Sequence, residues 1–292
     1  MTVALFGTGL LGGAIAQRLL ACGEELWVWN RSPERHASLQ RLGAHPAATP
    51  QEAASQASWL ITVLSDGPTT RELLLERIQE GLRGRTVIQM GTIGSAESRD
   101  LAEAVSSLGG RYLEAPVLGS KPEALAGSLQ LMAGGPEELF EQARPLLLRL
   151  SAEPVRLGEV GSAMAAKLAL NQLIASLSHA FSLSLHLVQR SGVEVEAFMA
   201  LLRNSALYAP TFDKKLEREL TGDYSNPNFP TAHLRKDLAL FEKAAQASGL
   251  ETMGLEGLLS LLQKATPAGL DPLDYCALHA LTAGRTAAAE QP

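Results

Sequence analysis

Three glycines, Gly7, Gly9 and Gly12, stand as GxGxxG between the β-prone run TVALF (2–6) and the apolar helical stretch GGAIAQRLLACG. No other feature constrains the chain as much. In a strand–turn–helix setting each glycine has a mechanical task. The first makes the tight turn, the second lets main chain approach a pyrophosphate, and the third lets the helix pack closely on the strand. Free N–H groups and the positive end of the helix dipole then form a seat for a diphosphate. Gly7, Thr8, Gly9, Leu10, Leu11 and Gly12 are therefore expected to contact a dinucleotide.

The next strand, ELWVWN (25–30), runs into WNRS and lacks the acidic residue that would bond a ribose 2′-hydroxyl. Asn30, Arg31 and Ser32 supply instead an amide, a guanidinium and a hydroxyl, a set that suits a 2′-phosphate. NADP(H) is expected over NAD(H).

Strand-like runs continue at 57–65, 86–90, 111–117 and 129–135, with helical stretches between, TTRELLLERIQEGL and SAESRDLAEAVSSLG among them. Such alternation implies crossover units and a mostly parallel, doubly wound Rossmann-type sheet. The run 129–135 is expected to close it. Beyond about residue 160 the patterns are helical, beginning with an apolar helix over 162–190. Residues 1–160 are thus expected to bind the dinucleotide, 161–190 to form an interdomain helix, and 191–292 to form an all-helical domain. The final TAAAEQP is expected to fray.

A chain of 292 residues accommodates two cores. A net charge of −6 with no basic stripe argues against nucleic acid as a partner. Cys22 and Cys276 lack metal spacing, and the six histidines form no HxH or HxxxH pair, so no metal site is expected. The cysteine usage fits a reducing compartment, with the cytoplasm as the default. The first cation is Arg18, unlike the charged start of a signal peptide, and no uninterrupted apolar run reaches about 18 residues, so no membrane span is expected. The apolar faces of LLSLLQKA and CALHALTAG suggest a homodimer or homotetramer.

Within the helix GSAMAAKLALNQLIASL, Lys167 is flanked by alanine and leucine. It either snorkels to water from a half-exposed helix or is a partly buried ammonium suited to proton transfer.

Four blocks in order resemble the β-hydroxyacid dehydrogenase family, which includes 3-hydroxyisobutyrate and 6-phosphogluconate dehydrogenases. LFGTGLLGGAIAQRLL resembles its cofactor loop, MGTIGSAES the block after a central strand, EAPVLGSKPEALAGSLQLMAGG the substrate loop, and GEVGSAMAAKLALNQ the helix block. FPTAHLRKDLALFEKAAQASG resembles a downstream segment, and NRS, LSD and GSKPEALAG look most like the glyoxylate and succinic semialdehyde reductase branch.

The resemblance implies that Lys167 is the catalytic lysine and Asn171 its partner, one turn apart on one face. Burial would lower the lysine pKa toward working pH. It also implies that Thr92 lies near nicotinamide and substrate, and that Gly119 and Ser120 bind a substrate carboxylate. Phe229 shapes the pocket, Leu64, Ser65 and Asp66 touch the dinucleotide, and Lys236 lies near the cofactor. Asp66 equally suits a helix N-cap, and Lys236 with Asp237 a solvated helix surface. Leu118 replaces the usual loop serine, and Ala163 a glycine before the catalytic helix, where it would narrow the approach to the nicotinamide.

The activity implied is NADPH-dependent reduction of a small aldehyde acid such as glyoxylate or succinic semialdehyde to its hydroxy acid. The alternatives are NAD(P)-dependent oxidation of 3-hydroxyisobutyrate or a similar acid, and a dinucleotide-binding relative without catalysis. Imine reductases share the fold and cofactor loop but usually lack this lysine.

Overall fold

A computed structural model describes residues 1–284. The expected fraying of TAAAEQP falls outside these residues. The chain divides into two compact units, Met1–Ala169 and Leu170–Pro292.

The first unit is built on nine strands among the described residues. They are β1 (Thr2–Phe6), β2 (Glu25–Trp29), β3 (His45–Pro46), β4 (Trp59–Thr62), β5 (Thr86–Gln89), β6 (Arg111–Glu114), β7 (Val117–Leu118), β8 (Gln130–Gly134) and β9 (Val155–Gly158). Their order is β3-β2-β1-β4-β5-β6-β8-β7, with β9 on β8. The run β3 to β6 is parallel, whereas β8 is antiparallel to both β6 and β7. The reversal of direction between β1→β2 and β1→β4 creates a crevice at the carboxyl ends of β1 and β4, where such sheets bind ligands.

Both faces of the sheet are covered. One side buries Val3, Leu5, Ile15, Leu19, Val28 and Ile88, and the other Ala4, Phe6, Leu60, Leu74, Val87 and Met164. The near-continuous apolar run of β1 follows from this double burial.

Two strands, β3 and β9, were not expected from the sequence, and the run expected over 111–117 is broken into β6 and β7. β3 and β7 are two residues each, too short to show alternation. β9 follows the run expected to close the sheet, so the sheet ends later than its pattern suggested. The helix expected over 69–82 is a helix, Gly67–Arg71, then a wider i→i+5 turn, Glu72–Arg77, and a 3-10 turn, Gln79–Gly81.

One uninterrupted helix, Ser162–Arg190, carries the chain from the first unit into the second. The boundary between the units falls within it. By length and composition this helix is long and apolar enough to cross a membrane, a property the sequence reading did not expect of any segment. It buries Lys167, Asn171, Ser178 and Ser182, and a core helix passes the same test.

The second unit is helical, with helices Val195–Arg203, Pro210–Thr221, Thr231–Ala247 and Met253–Gln263. Leu234 and Leu238 from one helix meet Leu258 and Leu262 from another, with Ala175, Tyr275 and Leu278. Phe181, Leu185, Met199 and Phe212 form a second cluster, in which the two phenylalanine rings stack at 4.6 Å. The apolar faces of LLSLLQKA and CALHALTAG are spent on this interior: Leu258, Leu262, Cys276, Ala277 and Leu278 are all buried. They therefore do not supply the oligomer surface expected of them.

Candidate functional site

The glycine loop has the geometry its spacing demands. A Cβ on Gly12 would lie 1.9 Å from the Gly7 carbonyl oxygen, and one on Gly7, where φ is +96°, would lie 2.3 Å from the Val63 carbonyl oxygen. Both glycines are fixed by backbone. Gly9 is different: its nearest neighbour would be the Arg35 guanidinium at 3.8 Å. It is the N-cap of the helix Leu10–Ala21, whose first turn has no side-chain cap. Thr8 is 6% exposed, and its Oγ1 has no hydrogen-bond partner. A buried orphan hydroxyl beside an uncapped helix start is what a phosphate would satisfy.

Thr8, Gly9, Gly13 and Gln17 line a groove of about 360 Å³ together with Arg35 and Lys121, two cations the sequence reading missed. The signal for Arg35 was a second cation close after Arg31 in NRSPER.

Asn30 serves the loop rather than facing outward. Its Oδ1 accepts the Thr8 N–H (3.1 Å) and its Nδ2 donates to the Ser32 carbonyl (3.2 Å). Arg31 is exposed and Ser32 half-buried. At the end of β4, Asp66 is the N-cap of Gly67–Arg71: Oδ1 accepts the Thr69 N–H (2.8 Å) and Oδ2 the Ser65 hydroxyl (2.6 Å). The capping alternative is therefore realised. A Cβ on Gly91 would lie 2.4 Å from the Leu64 carbonyl oxygen, so the turn carrying half-buried Thr92 packs directly on the 64–66 segment. The fold thus gathers Gly7, Gly12, Leu64 and Thr92 at the carboxyl ends of β1, β4 and β5.

In the loop after β7, Gly119 has φ +124°. Ser120 has both its donors committed: its N–H and its hydroxyl each give to Glu123 Oε2 at 2.8 Å, closing a capping box on Lys121–Ala126. A substrate carboxylate would have to displace Glu123 to use them. Leu118 is half-buried and pairs with Gln130.

Lys167 is 9% exposed, which excludes a half-exposed, snorkelling lysine. Asn171, one turn later, is 1% exposed and donates Nδ2 to Asp237 Oδ2 at 2.6 Å, while its Oδ1 has no donor. Asp237 is 2% exposed, so it does not lie on a solvated surface. It sits between Leu234 and Leu238 on the apolar face of its helix, a position that marked it as buried. Lys236 Nζ is 2.8 Å from Asp237 Oδ1. Phe229 packs 6.0 Å from the Tyr275 ring and 6.2 Å from that of His233. Ala163 is fully buried and turns its N–H toward Glu114.

Comparison with known proteins agrees with this architecture. The family model described as the NAD binding domain of 6-phosphogluconate dehydrogenase matches residues 2–161. That described as NAD-binding of NADP-dependent 3-hydroxyisobutyrate dehydrogenase matches residues 161–282. Glyoxylate/succinic semialdehyde reductase 1 of Arabidopsis thaliana is 30% identical over 281 residues, covering 95% of this chain and 97% of its own. The crystal structure of 3-hydroxyisobutyrate dehydrogenase from Salmonella typhimurium shares the fold with a TM-score of 0.86 at 24% identity, over 96% of this chain and 99% of its own. The complex of Psf3 with NADP+ and 2-OPP does so at 0.82 and 24%, with the same coverage.

Proposed function

The chain belongs to the β-hydroxyacid dehydrogenase family of NAD(P)-dependent oxidoreductases, and from that membership we propose that it reduces a small aldehyde acid, glyoxylate or succinic semialdehyde in kind, with NADPH. The observation that carries this reading is the burial of Lys167 one helical turn from an asparagine whose amide is already oriented by Asp237.

The phosphate loop, with the Thr8 hydroxyl, holds the cofactor's diphosphate, and Arg31 and Arg35 recognise a 2′-phosphate. Lys121 adds a second cation to the groove that Arg35 lines. Bound nicotinamide supplies the hydride. Lys167 donates the proton that the developing alkoxide requires, and Asn171 holds the same oxygen through its second amide hydrogen. Thr92 and Gly119, by the family resemblance, contact the substrate. The resemblance to an aldehyde-acid reductase across nearly the whole chain supports the choice of substrate. Leu173, Leu177, Leu183 and Leu187 are exposed along the long helix and suit a homodimer or homotetramer, which light scattering tests.

The test is an absorbance assay of short aldehyde acids with NADPH and NADH. Lys167→Ala is expected to lower kcat by roughly 10²- to 10⁴-fold, the range for loss of a general acid, while binding NADPH normally. Arg31→Ala should weaken NADPH more than NADH, because a charge-assisted phosphate contact contributes about 1.5–3 kcal/mol. Near-normal turnover by a folded Lys167→Ala protein overturns the mechanism. Oxidation of 3-hydroxyisobutyrate with no aldehyde-acid reduction overturns the substrate.

A further inference from the structure

Glu114 closes β6 and is 0% exposed. A carboxyl buried this deeply is unfavourable unless its oxygens are bonded, and these are. Oε1 accepts the N–H of Ala163 (2.8 Å) and of Met164 (3.2 Å). Oε2 accepts the Ser98 hydroxyl (2.6 Å), which is itself 2.9 Å from the Tyr112 hydroxyl. Burial pushes the Tyr112 hydroxyl well up, so it stays a donor in this chain of bonds.

Ala163 and Met164 are in the first turn of the helix Ser162–Arg190, where N–H groups have no partner within the helix. Such groups are commonly capped by a residue next to the helix start. Here the adjacent Ser162 hydroxyl turns away to the Glu159 carbonyl (2.6 Å). The cap comes from the sheet, 49 positions earlier in sequence. The sheet also makes room for it. Gly134 pairs with Glu114 in the β6–β8 register, and a Cβ there would lie 2.3 Å from Glu114 Oε1. The EAPV and MAGG blocks therefore converge on one task.

Lys167 lies four residues beyond Ala163, about 6 Å along the axis and on the same helix face. We infer that Glu114 is a positioning residue: its bonds to Ala163 and Met164 set the height and rotation of the helix and thereby the place of the Lys167 ammonium. The inference rests on the reading of Lys167 as proton donor.

The test compares Glu114→Asp, Glu114→Gln and Gly134→Ala for kcat, KM and NADPH dissociation constant, with Lys167→Ala alone and combined with Glu114→Asp. Aspartate is one methylene too short to span the gap, and kcat should fall about 10- to 100-fold, the scale of a misplacement of about 1 Å. Glutamine keeps the reach and an acceptor for both N–H groups, and should stay within about three-fold of normal. NADPH affinity should change less than two-fold in each case. Glu114→Asp should have no further effect in the Lys167→Ala background. A purely structural role would lower stability in both backgrounds and leave kcat of the folded protein unmoved.

Normal kcat in folded Glu114→Asp, or losses that add to that of Lys167→Ala, overturn the inference. If Glu114→Asp does not fold, Gly134→Ala decides: a kcat loss of at least three-fold at normal NADPH affinity supports it, and unchanged kcat overturns it. Failure of the underlying reading is separate and shows as normal turnover by Lys167→Ala alone.

Discussion

Two buried glutamates show what distinguishes the two units. Glu114, in the sheet unit, is surrounded by donors: two helix N–H groups and a serine hydroxyl. Glu219, on the helix Pro210–Thr221, is 5% exposed, and its Oε2 has no donor. Its neighbour is His279 Nδ1 at 3.7 Å, itself without a partner. Lys215, one turn earlier, is committed to Asp274 at 2.7 Å.

Burial pushes the Glu219 carboxyl up to about 8, against the weaker opposing pull of Lys215. Burial also pushes the His279 imidazole down to about 4, helped by the His186 ring stacked 3.8 Å away. Equal depth thus gives opposite outcomes. A carboxyl given donors joins two elements, and one left without them becomes a proton-dependent weakness.

The largest test of that contrast is Glu114→Leu. It strands two N–H groups, each costing about 1–3 kcal/mol when buried, so the sheet unit should lose about 2–6 kcal/mol by denaturant titration. A loss below about 1 kcal/mol would erase the contrast.

Next comes Glu219→Gln. The folded chain keeps a proton on Glu219 that the unfolded chain releases above about 4.5, so stability declines as pH rises from there to about 8 and the deficit is complete above it. Glutamine removes that deficit, and the variant should gain about 2 kcal/mol at pH 8.5 and little at pH 4.5. A gain independent of pH would assign the effect to packing.

The smallest is His279→Phe, which keeps an aromatic ring on His186. The unfolded imidazole binds a proton below about 6.5 and the folded one only below about 4, so native stability falls as pH drops between them. Phenylalanine should flatten this acid limb by about 1 kcal/mol, read as melting temperature from pH 7 to pH 4.5. An unchanged limb would place the proton elsewhere.

Much of this architecture was legible because the responsible signals are local. The ends of Ser162–Arg190 follow from the apolar period, and the presence and parallel direction of β1, β2, β4 and β5 from strand–helix alternation. The strands β3 and β9 and the break between β6 and β7 were not legible: β3 and β7 are too short for a period, and β9 alternates only between half-buried and exposed positions. At the site, Lys167 and Asn171 were singled out by the family resemblance, and their spacing adds only that they share one helix face. Asp237 as the orienting partner, Glu123 as the occupant of the Ser120 donors, and Glu114 as the cap of a distant helix could not. Each depends on where separate segments meet, and a carboxylate carries no mark of its partner in the primary structure.

The glycine loop has a consequence for how this protein can vary. At Gly7 and Gly12 the colliding atoms are carbonyl oxygens of the main chain, so no change of a neighbouring side chain can make room for a larger residue. Those two positions are expected to lack second-site suppressors among their side-chain neighbours. Gly9 faces only the movable tip of Arg35, so an alanine there fits the folded chain and obstructs only a ligand. A random library sorted first for folding and then for turnover would therefore lose Gly7 and Gly12 variants at the first gate and Gly9 variants at the second. One three-glycine motif thus carries two separable kinds of intolerance, to the interior and to the ligand.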